Sequence, residues 1–177
     1  MENLYKKIIE TLTSAENKQN FRAVGLKPVK LVDEYEGQYF QPEMFEGLVL
    51  PAVLVEWDVT YAKQSDPGLA SVNIHIMYEL PEHADSHNPN IDRALKRFDF
   101  YVKVYKMING LESENTGKLQ LVSEGGLKEP AITKVHIFGF TCSYAGKLSH
   151  TNWGEITPED VQLSERLKAF DTNLNTY

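Results

Sequence analysis

The chain has 177 residues, of which 42% are hydrophobic and 24% charged, a composition typical of a globular domain with a sizeable core. Its net charge of −7 argues against non-specific nucleic-acid binding, and its single cysteine, Cys142, excludes an internal disulfide and any multi-cysteine metal site. Because it has neither a signal peptide nor an apolar stretch long enough for a membrane span, we expect a soluble, cytoplasmic protein.

The N-terminal third is predicted to begin with one helix, over residues 2 to about 17. The apolar residues at helical spacing are Leu4, Ile8, Ile9 and Leu12. Residues 24–32 favour a strand interrupted at Pro28, and residues 35–46 mix aromatic and acidic side chains. We expect that second segment to be a loop lying on the domain.

Two strands and a turn are predicted next. Residues 48–57 form a nearly continuous apolar run, typical of a strand buried at the centre of a sheet, with Pro51 near an edge or bulge. Residues 71–80 alternate between apolar and polar side chains. Asp66, Pro67 and Gly68 between the runs indicate a turn, so an antiparallel pair is expected.

A central helix is predicted over residues 91–108, with Asn90 as its N-cap and Gly110 just past its end. Asp92 suits the positive end of the helix dipole. We expect one apolar stripe of this helix to face the core. Its members are Ile91, Leu95, Phe98, Val102, Tyr105 and Ile108.

The C-terminal part of the chain is predicted to hold two more strands, over 118–123 and 132–145. Thr157 and Pro158 then indicate the start of a short helix after a polar linker. The expected fold is α+β, with a mixed, mostly antiparallel sheet of four to five strands packed against an N-terminal and a central helix. Residues 1–145 would form the single domain, and 146–177 a C-terminal extension carrying a short helix or a mobile tail.

The histidines and carboxylates invite catalytic or metal-binding interpretations, which we weigh against ordinary structural roles. His83 and His87 share a polar loop with several acids, but a flexible, solvated loop is a poor frame for a metal. His75 and His136, both in predicted strands, are more typical of core or interface residues, although they could stack on adjacent strands. With Glu56 they form the best enzyme candidate. We predict no catalytic residue, metal or cofactor.

The basic residues of the central helix allow two interpretations: the solvated face of an amphipathic helix, or a positive stripe facing the acidic surface of a partner. For the second we define a candidate assembly surface from this helix and the loop before it. It comprises Arg93, Arg97, Lys103, Lys106, His83 and His87.

The order of the predicted elements resembles that of tail terminator, or tail completion, proteins of long-tailed bacteriophages and prophages. The segments that carry the resemblance, within residues 1–145, are Leu50-Pro51-Ala52-Val53-Leu54-Val55, the alternating run 71–80, Ile91-Asp92-Arg93-Ala94-Leu95 and Ile108-Asn109-Gly110-Leu111. The resemblance implies a structural protein without enzymatic activity. It would form a homo-oligomeric ring, a hexamer, that caps the tail tube and contacts tail-tube and head–neck proteins. It would work in the cytoplasm of the bacterial host during assembly and then in the virion tail.

Two other functions remain open from the residues alone. A small-ligand or peptide-binding module would need a concave apolar pocket. A hydrolytic enzyme would need His75, His136 and Glu56 to converge. Exposed aromatic residues on lateral faces favour a ring, whereas aromatic residues gathered in one cleft around a perturbed histidine favour a site.

Overall fold

A computed structural model describes residues 1–45, 47–62, 67–79, 87 and 89–146. By its contacts the chain divides into two units, Met1–Gly146 and Lys147–Tyr177, and every described residue lies in the first. The described elements are α1 (Glu2–Thr13), α2 (Ala15–Ala23), β1 (Leu31–Glu34), a 3-10 turn (Pro42–Met44), β2 (Ala52–Thr60), β3 (Gly68–Met77), α3 (Ile91–Ile108), β4 (Gln120–Gly126) and β5 (Val135–Tyr144).

The predicted α+β class is confirmed, with one five-stranded mixed sheet of order β1-β2-β3-β5-β4. Strand β1 runs parallel to β2, and the other pairs are antiparallel. The expected antiparallel pairing of β2 with β3 is confirmed, with Leu54 opposite His75. Asp66 of the predicted turn and the predicted C-terminal helix lie outside the described residues.

The N-terminal helix is two helices, so the prediction of one helix to residue 17 is wrong. Ser14 has an extended backbone (φ −56°, ψ 150°), which ends α1, and its hydroxyl accepts a hydrogen bond from the Asn17 amide at 3.2 Å. Serine favours this capping position because it satisfies an amide that the first helical turn leaves without a partner. The predicted strand over 24–32 is correct only in its last two residues, since α2 runs to Ala23 and β1 begins at Leu31.

The larger core lies on the face of the sheet covered by the helices, called the helical face below. Side chains such as Val53, Val72 and Ile74 pack there against Leu4 and Ile8 of α1. A smaller core lies on the opposite face, where the segment after β1 covers Leu54 and Met77 with Tyr39. The sheet is therefore buried on both faces at this end, as the apolar run in β2 predicts.

Candidate functional site

Helix α3 carries two apolar stripes, and the predicted one does not face the core along most of its length. Four residues of the predicted stripe are 37–49% exposed: Ile91, Leu95, Phe98 and Val102, called the α3 stripe below. The face buried in the core carries instead Ala94, Phe100, Tyr101, Val104 and Ile108. Since successive residues turn by 100°, the four exposed side chains fall within an arc of about 60°. They form a continuous apolar seam at the surface.

Aromatic contacts fix the orientation of α3. The ring of Phe100 lies 5.2 Å from that of Phe21 in α2 and 4.8 Å from that of Tyr78 after β3. Tyr101 stacks on His136 of β5 with 4.6 Å between ring centroids. Burial of large aromatic side chains is strongly favourable, so these contacts decide which face of α3 packs on the core. The α3 stripe is left exposed as a result.

The α3 stripe is bordered by charged side chains of both signs, with Arg97 on one flank and Lys106 and Asp99 on the other. The guanidinium carbon of Arg97 lies 4.6 Å from the ring centroid of Phe98, and an Arg97 nitrogen donates a hydrogen bond to the Ala94 carbonyl at 3.2 Å. These contacts hold the Arg97 side chain beside Phe98. Lys106 follows Val102 by one helical turn and is exposed.

The predicted assembly residues are brought together only in part. Arg93 and Lys106 are exposed, whereas Arg97 and Lys103 are partly buried. Around the helix axis these four residues spread over about 180°, so they do not form one positive stripe. His87 is exposed, and His83 lies outside the described residues. The sequence identifies the basic residues, and its helical spacing also identifies the apolar seam. It predicts that the seam faces the core, whereas the structure exposes it.

His75 lies at the centre of a hydrogen-bonded cluster on the opposite face of the sheet. Its Nδ1 lies 3.0 Å from the Tyr39 hydroxyl, and its Nε2 lies 3.4 Å from a carboxylate oxygen of Glu56. The same oxygen accepts a hydrogen bond from the Asn73 amide at 3.0 Å, and Tyr35 stacks on the imidazole. Burial lowers the pKa of His75, and the nearby Glu56 carboxylate offsets that shift only in part.

The cluster joins His75 to Tyr39 and Glu56 and does not include His136. His136 pairs opposite Ile76 and stacks on Tyr101, so it lies on the helical face and does not meet His75. The two histidines therefore do not stack on adjacent strands. Burial raises the pKa of Tyr39, so its hydroxyl stays protonated, as a hydrogen-bond donor to His75 requires. Nothing in the sequence placed Tyr39 near His75, because 36 residues separate them.

A cleft of about 640 Å³ opens beside the first turn of α3. Its lining residues are Gly25, Lys27, Tyr78, Glu79, Asp92, Arg93 and Lys96. Five of these seven are charged, and Lys27 forms an ion pair with Glu79 across the opening. Ligand pockets of this volume are usually lined mainly by apolar side chains with a few polar groups. Neither His75 nor His136 is part of this lining.

No protein-family model matches the chain, and no curated protein matches it. Within the described part of the chain, no three His, Cys, Asp or Glu side chains are grouped so that they could hold a metal ion. No helix described in that part is long and apolar enough to cross a membrane.

Proposed function

We propose that this protein is a structural assembly protein of the tail terminator type, and that it acts by self-association into a ring. The observation that carries the proposal is the α3 stripe, because it places four large apolar side chains in one exposed seam. Single exposed apolar residues are ordinary, but an aligned row on a helix is the pattern with which a helix docks into a groove. Arg97 and Lys106 would supply the polar rim of that interface.

Self-association can be measured directly. Size-exclusion chromatography with light scattering, over a range of concentrations, should give a mass that rises to a defined multiple of 20.2 kDa. Phe98→Asp and Val102→Asp should each shift the protein toward the monomer, because a desolvated carboxylate in an apolar interface is unfavourable. Val24→Asp is the matched control, since Val24 is 56% exposed at the end of α2 and is not part of the α3 stripe.

Two results would overturn the assembly proposal. One is a wild-type protein that stays monomeric at every concentration. The other is a Phe98→Asp variant that associates as well as the Val24→Asp control. A circular-dichroism melt of each variant shows whether it is folded, so loss of structure is separated from loss of assembly.

The phage assignment needs a further test, because other structural proteins also form rings. Negative-stain electron microscopy should show closed rings with a central opening, a hexamer for the proposed type. Added to tail tubes polymerised from a tube protein of the same phage, the ring should bind at one end only. Binding along the whole tube, or none, would leave a self-associating protein of another kind. In the bacterial host the protein would act first in the cytoplasm and later in the virion tail.

The alternative of a small-ligand or peptide-binding module has less support. The cleft beside α3 has a suitable volume, but five of its seven lining residues are charged, whereas a small-ligand site usually has only a few polar groups. The enzyme alternative has less still, because His75 and His136 lie on opposite faces of the sheet. We therefore keep assembly as the proposal.

A further inference from the structure

The charges of this chain are strongly segregated along the sequence. Residues 31–61 contain seven acidic residues and no lysine or arginine. Helix α3 carries five basic residues against two acidic ones. In a chain with a net charge of −7, this separation leaves one acidic segment and one basic helix on the same domain. Complementary charges of this kind select a partner and fix its orientation.

The acidic segment also exposes apolar side chains beside a small cleft. The cleft, called the acceptor cleft below, has a volume of about 240 Å³, and its lining includes Leu31, Asp33, Met44, Phe45 and Leu48. Met44 is 70% exposed at its rim, and Glu43 beside it is exposed. The volume is below that of a drug-sized ligand site and suits a single large side chain.

The Tyr39–His75 contact anchors the chain next to Gln38, a residue in the lining of the acceptor cleft. The segment that follows β1 is anchored by the Tyr39 hydroxyl at Nδ1 of His75 and by the Tyr39 carbonyl, which accepts a hydrogen bond from Ile132 at 3.2 Å. On its β1 side the cleft is bounded by Leu31 and Asp33. A surface fixed in advance loses little conformational entropy on binding.

The α3 stripe and the acceptor cleft cannot meet within one copy. Helix α3 packs on the helical face of the sheet, whereas the segment after β1 packs on the opposite face. Two different, complementary surfaces on opposite faces make a heterologous contact between copies, and such a contact closes into a ring or extends into a filament.

Resting on the proposed function, we infer that the α3 stripe of one copy docks in the acceptor cleft of the next copy, with Phe98 as the inserted side chain. In this arrangement Arg97, held beside Phe98, faces Asp33 in the lining of the cleft. The phenylalanine side chain contacts the apolar members of the lining, and Asp33 meets Arg97 at the edge of the cleft. Assembly is therefore head to tail, not α3 against α3.

A mixing experiment tests this arrangement. Phe98→Asp disrupts the α3 stripe and leaves the acceptor cleft intact. Met44→Lys blocks the acceptor cleft and leaves the α3 stripe intact. Each variant alone should self-associate at least about tenfold more weakly than wild type, as expected for loss of a central contact. Mixed at equal concentrations, the two should form a heterodimer that grows no further, because only one complete interface remains.

The outcomes separate this inference from the proposed function. A monomeric wild type would contradict both this inference and the proposed function. If wild type associates but Met44→Lys also associates normally, or if the mixture stays monomeric, head-to-tail docking at the acceptor cleft is wrong and self-association through α3 stands. Val24→Lys is the control for added charge at an exposed position. Should Met44→Lys fail to fold, Asp33→Lys changes the same cleft at another exposed residue and serves in its place.

Discussion

The hydroxyl of Tyr39 lies 3.0 Å from Nδ1 of His75, and this contact joins the segment after β1 to the middle strand of the sheet. Both side chains are buried, with 2% of Tyr39 and 4% of His75 exposed. Tyr35 stacks on both rings and closes the cluster from above the sheet. A buried polar group is costly when it loses its partner, so the two residues should be energetically coupled.

A double-mutant cycle measures that coupling. Tyr39→Phe should lower the free energy of unfolding by about 1–2 kcal/mol, since Nδ1 of His75 is left without a partner. His75→Phe should cost about 1–3 kcal/mol for the corresponding reason at the Tyr39 hydroxyl. The double variant should lose less than the sum, because two apolar rings leave neither group unsatisfied. Additive losses in urea unfolding would contradict the contact.

The buried histidines predict that stability falls in mild acid. Burial lowers the pKa of His75 and of His136 below the value of the unfolded chain, and Glu56 and Glu124 respectively oppose the shift only in part. As the pH falls below about 6.5 the unfolded chain binds protons that the folded chain does not, so the free energy of unfolding decreases.

One histidine can change the free energy of unfolding by at most about 1.4 kcal/mol per pH unit. Urea unfolding at pH 7.5, 6.5 and 5.5 should therefore show a slope that His75→Phe and His136→Phe each reduce. An unchanged slope in the variant that carries both substitutions would show that other groups cause it.

Two phenylalanines on one helix test the orientation of α3. Phe100→Ala should cost about 3–5 kcal/mol, because the ring is fully buried between Phe21 and Tyr78. Phe98→Ala should stay within about 0.5 kcal/mol in the monomer, since the ring is half exposed. Thermal or urea unfolding below the concentration of self-association measures both. Comparable losses would mean that the predicted stripe faces the core after all.

Gly110 closes α3 in a backbone conformation that other residues avoid. Its φ is +82°, and its amide donates a hydrogen bond to the Leu119 carbonyl at 2.8 Å. Gly110→Ala should cost about 1 kcal/mol or more because of this positive φ. Gly125→Ala is the matched control, since nothing lies within 4 Å of the added methyl group and its φ is not in the left-handed region. Equal effects of the two substitutions would refute the backbone argument.

The capping hydrogen bond at the break between α1 and α2 can be removed by one substitution of Ser14 and kept by another. Ser14→Ala should lower the free energy of unfolding by about 1 kcal/mol, because the Asn17 amide loses its capping oxygen. Ser14→Asp keeps an acceptor at that place and should retain most of the stability. Thermal denaturation distinguishes the two. A loss as large in Ser14→Asp as in Ser14→Ala would show that capping is not the cause.

Features set by local pattern were predictable from the sequence. The alternation in β3 and the apolar run in β2 predict which side chains face the core and that the two strands pair. Gly110 marks the end of α3. Both signals act over only a few residues. The α1–α2 break is also local, but residues 2–17 contain no proline or glycine that would mark it, and serine is tolerated within helices.

Features set by tertiary contacts were not predictable in the same way. Helix α3 has two apolar stripes, and only its contacts with Phe21 and His136 decide which one is buried. The pairing of Tyr39 with His75 depends on the path of an irregular segment across the sheet. In the candidate site, the sequence pattern identifies the basic residues of α3 but predicts that the exposed apolar seam faces the core.

The order of the strands has a consequence for how the chain is made. Strand β5 is the last of the described strands in sequence, yet it lies between β3 and β4 in the sheet. During synthesis from the N-terminus, β3 therefore has one open edge until Val135–Tyr144 has left the ribosome, and β4 has no neighbour at all. An open edge on a strand this apolar is a site for pairing with other chains. Nascent chains that stop before residue 135 are expected to depend on chaperones, and the sheet can close only when β5 arrives.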